Sequence, residues 1–469
     1  MKKAAFASSI AQREKREKKK RNIFPIMRIL IKEIYKKINI IDIRNKSSAK
    51  GDKIMRLPKT EVLEKIYGES RESRERFESL AKNFKENFQK EEMEFFTAPG
   101  RTEIVGNHTD HNGGKILAAS IDMDTIGAAY PNGTDTVRII SEGYGRAVEV
   151  RVADAEKTDK MKGTLSLTAG MIDGALKRGF HVRGFDLYVS TKVISSAGVS
   201  SSASFEMLVC SVINYFFNDS KMDCADCARI GQYAENHFWN KSSGLMDQMA
   251  CAAGGAILLD FSDGVKYQTA DFSFDKMGCD LVIVNTGKGH ADLSDEYSEI
   301  PQEMKEIAKE LGVSTLCEST EEKLVEKILA GEIHVENDRA ILRALHFYEE
   351  NRRVEKAAEA VKENDKETLL AVIKESGESS WKWLQNCVSR SDYNDQRVAL
   401  TLAMTELFLK KKNRGCCRVH GGGFAGVIMC VTEKEDTQEY ISYISRLAGK
   451  ENVYPMRIRS TGASHIEKE

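Results

Sequence analysis

The sequence predicts an α+β protein built as two lobes, and three observations lead there. The chain has 469 residues, well beyond what a single hydrophobic core organises. Short β-like runs and apolar residues at helical spacing are mixed in both halves, and no internal repeat is visible. With 41% hydrophobic and 30% charged residues, the composition is that of an ordinary globular protein rather than a disordered or membrane-embedded one.

Bulk properties narrow the function. A formal net charge of −1 argues against a dedicated nucleic-acid binder, whose domain is normally basic. No apolar run approaches the roughly 20 residues that span a bilayer. The basic start lacks the apolar stretch and cleavage site of a secretory signal. The ten cysteines are scattered, mostly in apolar segments (Cys210, Cys251, Cys430), which suits reduced thiols and a cytoplasmic location. Cys224 and Cys227 form a C-x-x-C, a poor zinc site without a second pair.

Taken in order, residues 1–54 stand apart: Lys/Arg-rich (KREKKKR at 15–21), then Ile-rich from Ile23 to Ile43. A targeting arm is one reading; a mobile solvated extension before a start at Met55 is favoured. From Leu57 to Lys90, Val62, Ile66, Phe77, Leu80 and Phe84 predict exposed helix packed on one stripe. Strand-like runs follow at Ile104–Val105, Ile116–Ala119, Thr136–Ile140, Ala147–Val152 and Phe185–Val189. A helix should follow Ser202, because Phe205, Leu208, Val209, Val212, Ile213 and Phe216 share one face. Ala256–Phe261 and Leu281–Val284 read as strands, and the chain is then mainly helical to Leu409. Arg418–Val419, Gly426–Val431 and Val453–Arg457 close the list of strands. The two lobes are expected to meet near residue 280, giving 55–278 and 279–469.

Four segments carry the chemistry. Ala98–Gly114 packs Arg101, Glu103, Asn107, His108, Asp110 and His111 into a short, Gly-punctuated stretch. Convergent donors and acceptors suit a polyhydroxy ligand. A polar surface turn, or a metal site from His108, Asp110 and His111, fits the spacing as well. Ser195–Ser204 is small and Ser-rich ahead of a helix, whose N-terminus presents free N–H groups and a positive dipole end to a phosphate; such turns also cap helices with no ligand. No Walker-type loop occurs. Gly244-Leu-Met-Asp247-Gln-Met places an acid in an apolar stretch, with Glu235 twelve residues upstream; it is either a cap or a group that stays ionised beside a cation and accepts a proton. Arg418–Met429 contains a formal G-x-G-x-x-G (Gly421, Gly423, Gly426). A strand-like run follows it where the dinucleotide fingerprint needs a helix, so NAD binding is rejected. A structural Gly turn or a ligand-side turn remains.

In this order and spacing the segments resemble the galactokinases, of the galactokinase–homoserine kinase–mevalonate kinase–phosphomevalonate kinase (GHMP) superfamily, from about Phe95 to the C-terminus. Gly100–Asn112 is similar to the family's G-R-x-N-L-I-G-E-H-T-D-Y-N, Ile194–Ser204 to P-x-G-x-G-L-S-S-S-A-S, Gly244–Gln248 to G-I-M-D-Q, and Gly421–Gly426 to its Gly-rich third motif. The resemblance implies an N-terminal α+β lobe and a C-terminal ferredoxin-like lobe with the site in the cleft. It implies ATP-dependent phosphorylation of the anomeric hydroxyl of galactose, with Mg²⁺. Asp247 and Arg101 would be catalytic; Glu103, Asn107, His108, Asp110 and Tyr297 would bind the sugar. Ala197, Gly198, Val199, Ser200, Ser201 and Ser202 would wrap the ATP phosphates, with Ser202 and Glu235 on the metal. The partners implied are sugar and ATP, with no nucleic acid and no membrane, in a monomer.

There are departures. The family's Asn and Glu appear in exchanged order as Glu103 and Asn107, and His111 replaces a Tyr. Ile194 and Ser196 replace a Pro and a Gly. Even spacing puts Glu103 and Asn107 on one strand face, so Glu103 is expected to take over part of the carboxylate's role toward the sugar. Two alternatives follow from the family: a kinase for a related sugar such as N-acetylgalactosamine, or a galactose-sensing regulator with little kinase activity.

Overall fold

A long hairpin organises the first half of the chain. Strand β1 (Glu94–Val105) and the 17-residue β2 (Lys115–Pro131) run antiparallel along nearly their whole lengths, with irregularities between Pro99 and Arg101 and between Glu103 and Val105. The far end of β2 pairs with β5 (Phe185–Thr191). Its near end pairs with β6 (Ala256–Asp260), which carries β7 (Lys266–Ala270). Strands β3 (Thr136–Ser141) and β4 (Val148–Arg151) extend the sheet beyond β5. The computed structural model describes residues 56–469 apart from 162, 195–197, 242, 288–293, 392 and 425. The basic extension and Ala197 therefore lie outside the described residues.

Helices α1 (Thr60–Tyr67) and α2 (Arg71–Phe88) pack one stripe on this sheet. The stripe runs through Leu63 and Ile66, then Phe77, Leu80, Ala81 and Phe84, all buried with Phe95, Ile126 and Tyr188, and the half-buried Val62 packs at its margin. Three helices cover the sheet elsewhere: α3 (Thr164–Lys177), α4 (Ser201–Phe217) and α5 (Cys224–Phe238). The short α6 (Met246–Ala253) precedes β6.

The second sheet begins with β8 (Cys279–Asn285). Helices α7 (Ser294–Glu310), α8 (Glu321–Leu329), α9 (Asp338–Glu363), α10 (Lys366–Ser379) and α11 (Arg397–Lys412) follow. Then come β9 (Cys416–His420), β10 (Val427–Glu433), α12 (Lys434–Ala448) and β11 (Val453–Met456). The antiparallel order β11-β8-β10-β9, with helices after the first and third strands, is the β-α-β-β-α-β plan of the ferredoxin-like fold. The last strand, β12 (Ser464–Ile466), returns to the first sheet and pairs with Phe95–Thr97.

One apolar cluster joins the two sheets: Ile104, Leu117 and Val199 pack with Ile283, Val427 and Met429. That shared core brings β1 and the Ser-rich loop against β10. All ten cysteines are free thiols. No helix among the described residues is long and apolar enough to cross a membrane.

Candidate active site

The irregularity in β1 at Gly100 bends the strand so that the Arg101 N–H donates to the Val199 carbonyl, 3.2 Å away. The Ser-rich loop is thereby tied to the strand. Arg101 then reaches Asp247, in the first turn of α6, with Nε and Nη2 each 2.7 Å from Oδ1. Its Nη1 donates to the Gly198 carbonyl. Ser200 Oγ donates to the other carboxylate oxygen, Oδ2, at 2.6 Å. Asp247 is therefore not a helix cap. Burial alone would push its carboxyl up, but the Arg101 charge and hydrogen bonds, the Lys241 charge and the Ser200 hydroxyl outweigh that and bring it to about 2. It is ionised at every physiological pH, and 23% of its side chain remains open.

The hydroxyls at the start of α4 serve the site's carboxylates. Ser200 takes the left-handed conformation (φ 58°) as the residue before the helix and makes no side-chain cap. Ser202 Oγ donates to Glu235 Oε1 at 2.7 Å. The same oxygen receives Lys241 Nζ at 2.7 Å, and Gln248 Nε2 bridges Glu235 Oε2 and Glu206 Oε2 at 3.3 and 3.0 Å. Glu206 is fully buried. Burial, then the Glu235 charge, raise its carboxyl well above the usual range. Glu206 and Lys241 escaped the sequence reading, which took in Gln248 only as the end of the Gly244–Gln248 motif; a Glu among Phe205, Met207 and Leu208 was the available signal.

The Arg101–Asn112 segment forms the second half of the site. Glu103 and Asn107 meet: Asn107 Nδ2 lies 3.1 Å from Glu103 Oε1 and 3.3 Å from Oε2. Asn107 stands past the end of β1, so a turn rather than a shared strand face unites them. Glu103 also accepts from Arg418 Nη2 at 2.6 Å, and both residues of this pair are buried. Asn107 is held from every side, by Gly421 O, Asn386 Nδ2, Glu350 and His346. His108, at φ 61°, donates Nε2–H to the Gly422 carbonyl at 3.1 Å. Burial, then His111, push it down to about 3, so the ring is neutral.

Asp110 opens a 3₁₀ turn and accepts the His111 N–H at 3.1 Å. Its other oxygen lies over Gly244: a Cβ there would stand 1.7 Å from Asp110 Oδ2. Only glycine admits the carboxylate so close. Tyr297, in α7, holds its ring 5.1 Å from His108. Burial and then the charges of Asp110 and Asp247 raise its phenol. Among the described residues no three His, Cys, Asp or Glu side chains are placed to hold a metal ion, which removes the reading of His108, Asp110 and His111 as ligands. Strand β10 begins at Val427, directly after Gly426, so a strand stands where the dinucleotide fingerprint needs a helix.

The four segments thus converge from β1, the loop before α4, α6 and the turn before β10. Residues 82–131 match the galactokinase galactose-binding signature and residues 166–255 the GHMP kinases N terminal domain. A galactokinase of Clostridium tetani is 32% identical over 287 residues, covering 59% of this chain and 71% of the relative. One of Limosilactobacillus reuteri is 27% identical over 380 residues, covering 78% and 92%. The crystal structure of Lactococcus lactis galactokinase complexed with galactose superposes with a TM-score of 0.72 at 25% identity, covering 82% of this chain and 99% of that one. Motifs, fold and relatives agree, and the chain belongs to the galactokinase family of GHMP kinases.

Proposed function

We propose that the protein transfers the γ-phosphoryl group of ATP to the anomeric hydroxyl of galactose, giving galactose 1-phosphate and ADP in the cytoplasm. The observation that carries this is the Arg101–Asp247–Ser200 knot: a carboxylate kept ionised, partly open, and bonded directly to the phosphate loop. Phosphoryl transfer needs alignment and charge stabilisation more than covalent help. Asp247, with a pKa of about 2, is a weak base. It orients the sugar hydroxyl and takes its proton as the new O–P bond forms, an effect of about 10²–10⁴-fold. Arg101 holds that carboxylate in place and offsets charge on the migrating group. Gly198–Ser202 and the N-terminus of α4 receive the phosphates through backbone N–H groups.

Ser202 and Lys241 both reach Oε1 of the fully buried Glu235, an oxygen that already attracts a cation. Ser202 and Glu235 would therefore hold Mg²⁺ completed by water and phosphate oxygens, and the ion would supply charge neutralisation at the phosphates. His108, Asp110 and Tyr297 bind sugar hydroxyls. Glu103 supports the sugar from behind, by fixing Asn107 and the turn that carries His108. The cleft lies between lobes 55–278 and 279–469.

The test is ADP release from Mg-ATP with galactose, its N-acetyl, 2-deoxy and 6-deoxy analogues, and glucose. Turnover on galactose is expected. Binding of galactose without turnover would replace the enzyme with a sensor; faster turnover of the N-acetyl sugar would change the substrate.

A further inference from the structure

We propose that Lys241 is a phosphate-binding residue of this kinase, which yields Glu235 to the metal and turns its ammonium to the nucleotide. The inference rests on the kinase reading above. Its basis is that two cations have a claim on one oxygen. Lys241 Nζ lies 2.7 Å from Glu235 Oε1, the oxygen that also accepts from Ser202. A divalent ion and an ammonium cannot share that position, because like charges a few ångströms apart repel strongly where water is scarce.

The two partners differ in freedom. Glu235 is fully buried on α5 and its second oxygen is held by Gln248. The Lys241 side chain is 44% exposed, so it is the member that can move. Asn240, in the left-handed region at φ 54°, folds the chain back so that the Lys241 N–H caps the Glu235 carbonyl, 3.1 Å away. The backbone is thereby anchored while the long side chain stays free. Arg101, the other cation on Asp247, is committed to that carboxylate and to Gly198.

Charge supplies the destination. Once a metal neutralises Glu235, the nearest strong acceptors are phosphate oxygens on the loop whose Ser202 contacts the same carboxylate. A lysine, a compact charge on a flexible stem, suits that exchange.

Two measurements test this with the full chain. Lys241→Met should raise the KM for ATP by about ten- to hundredfold, the worth of a hydrogen bond to a charged group, while the KM for galactose stays put; Lys241→Arg should restore most of the loss. In the nucleotide-free protein, Mn²⁺ followed by electron paramagnetic resonance should bind Lys241→Met more tightly than wild type, because the competing ammonium is gone. An unchanged KM for ATP, or equal Mn²⁺ affinity, overturns the role. Wild-type turnover is the separate control: without it the kinase reading itself falls, whereas turnover indifferent to Lys241→Met overturns only the lysine.

Discussion

Arg101 and Asp247 are joined by two nitrogens on one oxygen, both at 2.7 Å, and Ser200 holds the other oxygen. The carboxylate therefore has a fixed plane as well as a fixed charge. Asp247→Ala should abolish phosphorylation while leaving ATP binding, followed by nucleotide fluorescence, in place; retained turnover would remove Asp247 from the mechanism.

The same pair sets a pH dependence. The Asp247 carboxyl is depressed to about 2, so its ionised form is lost only as pH falls through that value, and wild-type kcat/KM should show no acid limb from it above about pH 4. Arg101→Gln removes the largest contribution that opposes burial, leaving only the Lys241 charge and the Ser200 hydroxyl against it. The variant should lose its remaining activity on acidification at a distinctly higher pH than wild type, read from a pH–rate profile.

Glu103 is the residue whose role the structure sharpens. Its oxygens serve Arg418 and Asn107, both buried. Both donors meet at Oε1; Glu103→Gln keeps that acceptor but removes the charge that pairs with Arg418 and puts an NH₂ group in place of Oε2, facing the Asn107 amide. Sugar KM should rise about tenfold through the loosened turn, the scale of one charged hydrogen bond, with KM for ATP unchanged. Unchanged affinity for every accepted sugar would show that this carboxylate does not support the sugar site.

Gly244 touches Asp110 with no room for a methyl group. Gly244→Ala should displace that carboxylate and weaken sugar binding, with nucleotide binding retained. Calorimetric titration with each ligand separates the two.

Acid sensitivity has an identifiable source in His346, whose ring bridges the Asn107 carbonyl and Ser379. Burial pushes it down to about 4. The unfolded chain takes up a proton near pH 6.5 that the folded chain refuses, so each unit of acidification between those values costs about 1.4 kcal/mol. His346→Gln should be less stable than wild type at pH 8, with the gap narrowing toward pH 4. Urea unfolding at several pH values checks the slope.

Legibility followed sequence distance. The four motifs were readable because each packs its chemistry within about a dozen residues, and the α4 face because its apolar spacing is regular. Glu350, His346, Asn386 and Arg418 fix the Asn107 turn from more than two hundred residues away, and no local pattern marks them. The α3 helix was missed because Gly170 and Gly174 interrupt it; at Gly170 a Cβ would stand 2.7 Å from the Ala234 backbone, so close helix packing overrides poor propensity. Strand β7 is polar and largely exposed, and β12 has three residues, too short for alternation to register.

Pairing of Ser464–Ile466 with Phe95–Thr97 bears on how the protein is made. During synthesis the outer margin of the first sheet emerges early and waits, unpaired, until Ser464, 367 residues beyond Thr97, has left the ribosome. Closing so long a loop is slow, and an open strand margin is an invitation to associate with other chains. Chaperone demand should therefore track the β12 segment, and removing Ser464–Ile466 should yield aggregation before it yields an inactive but folded kinase.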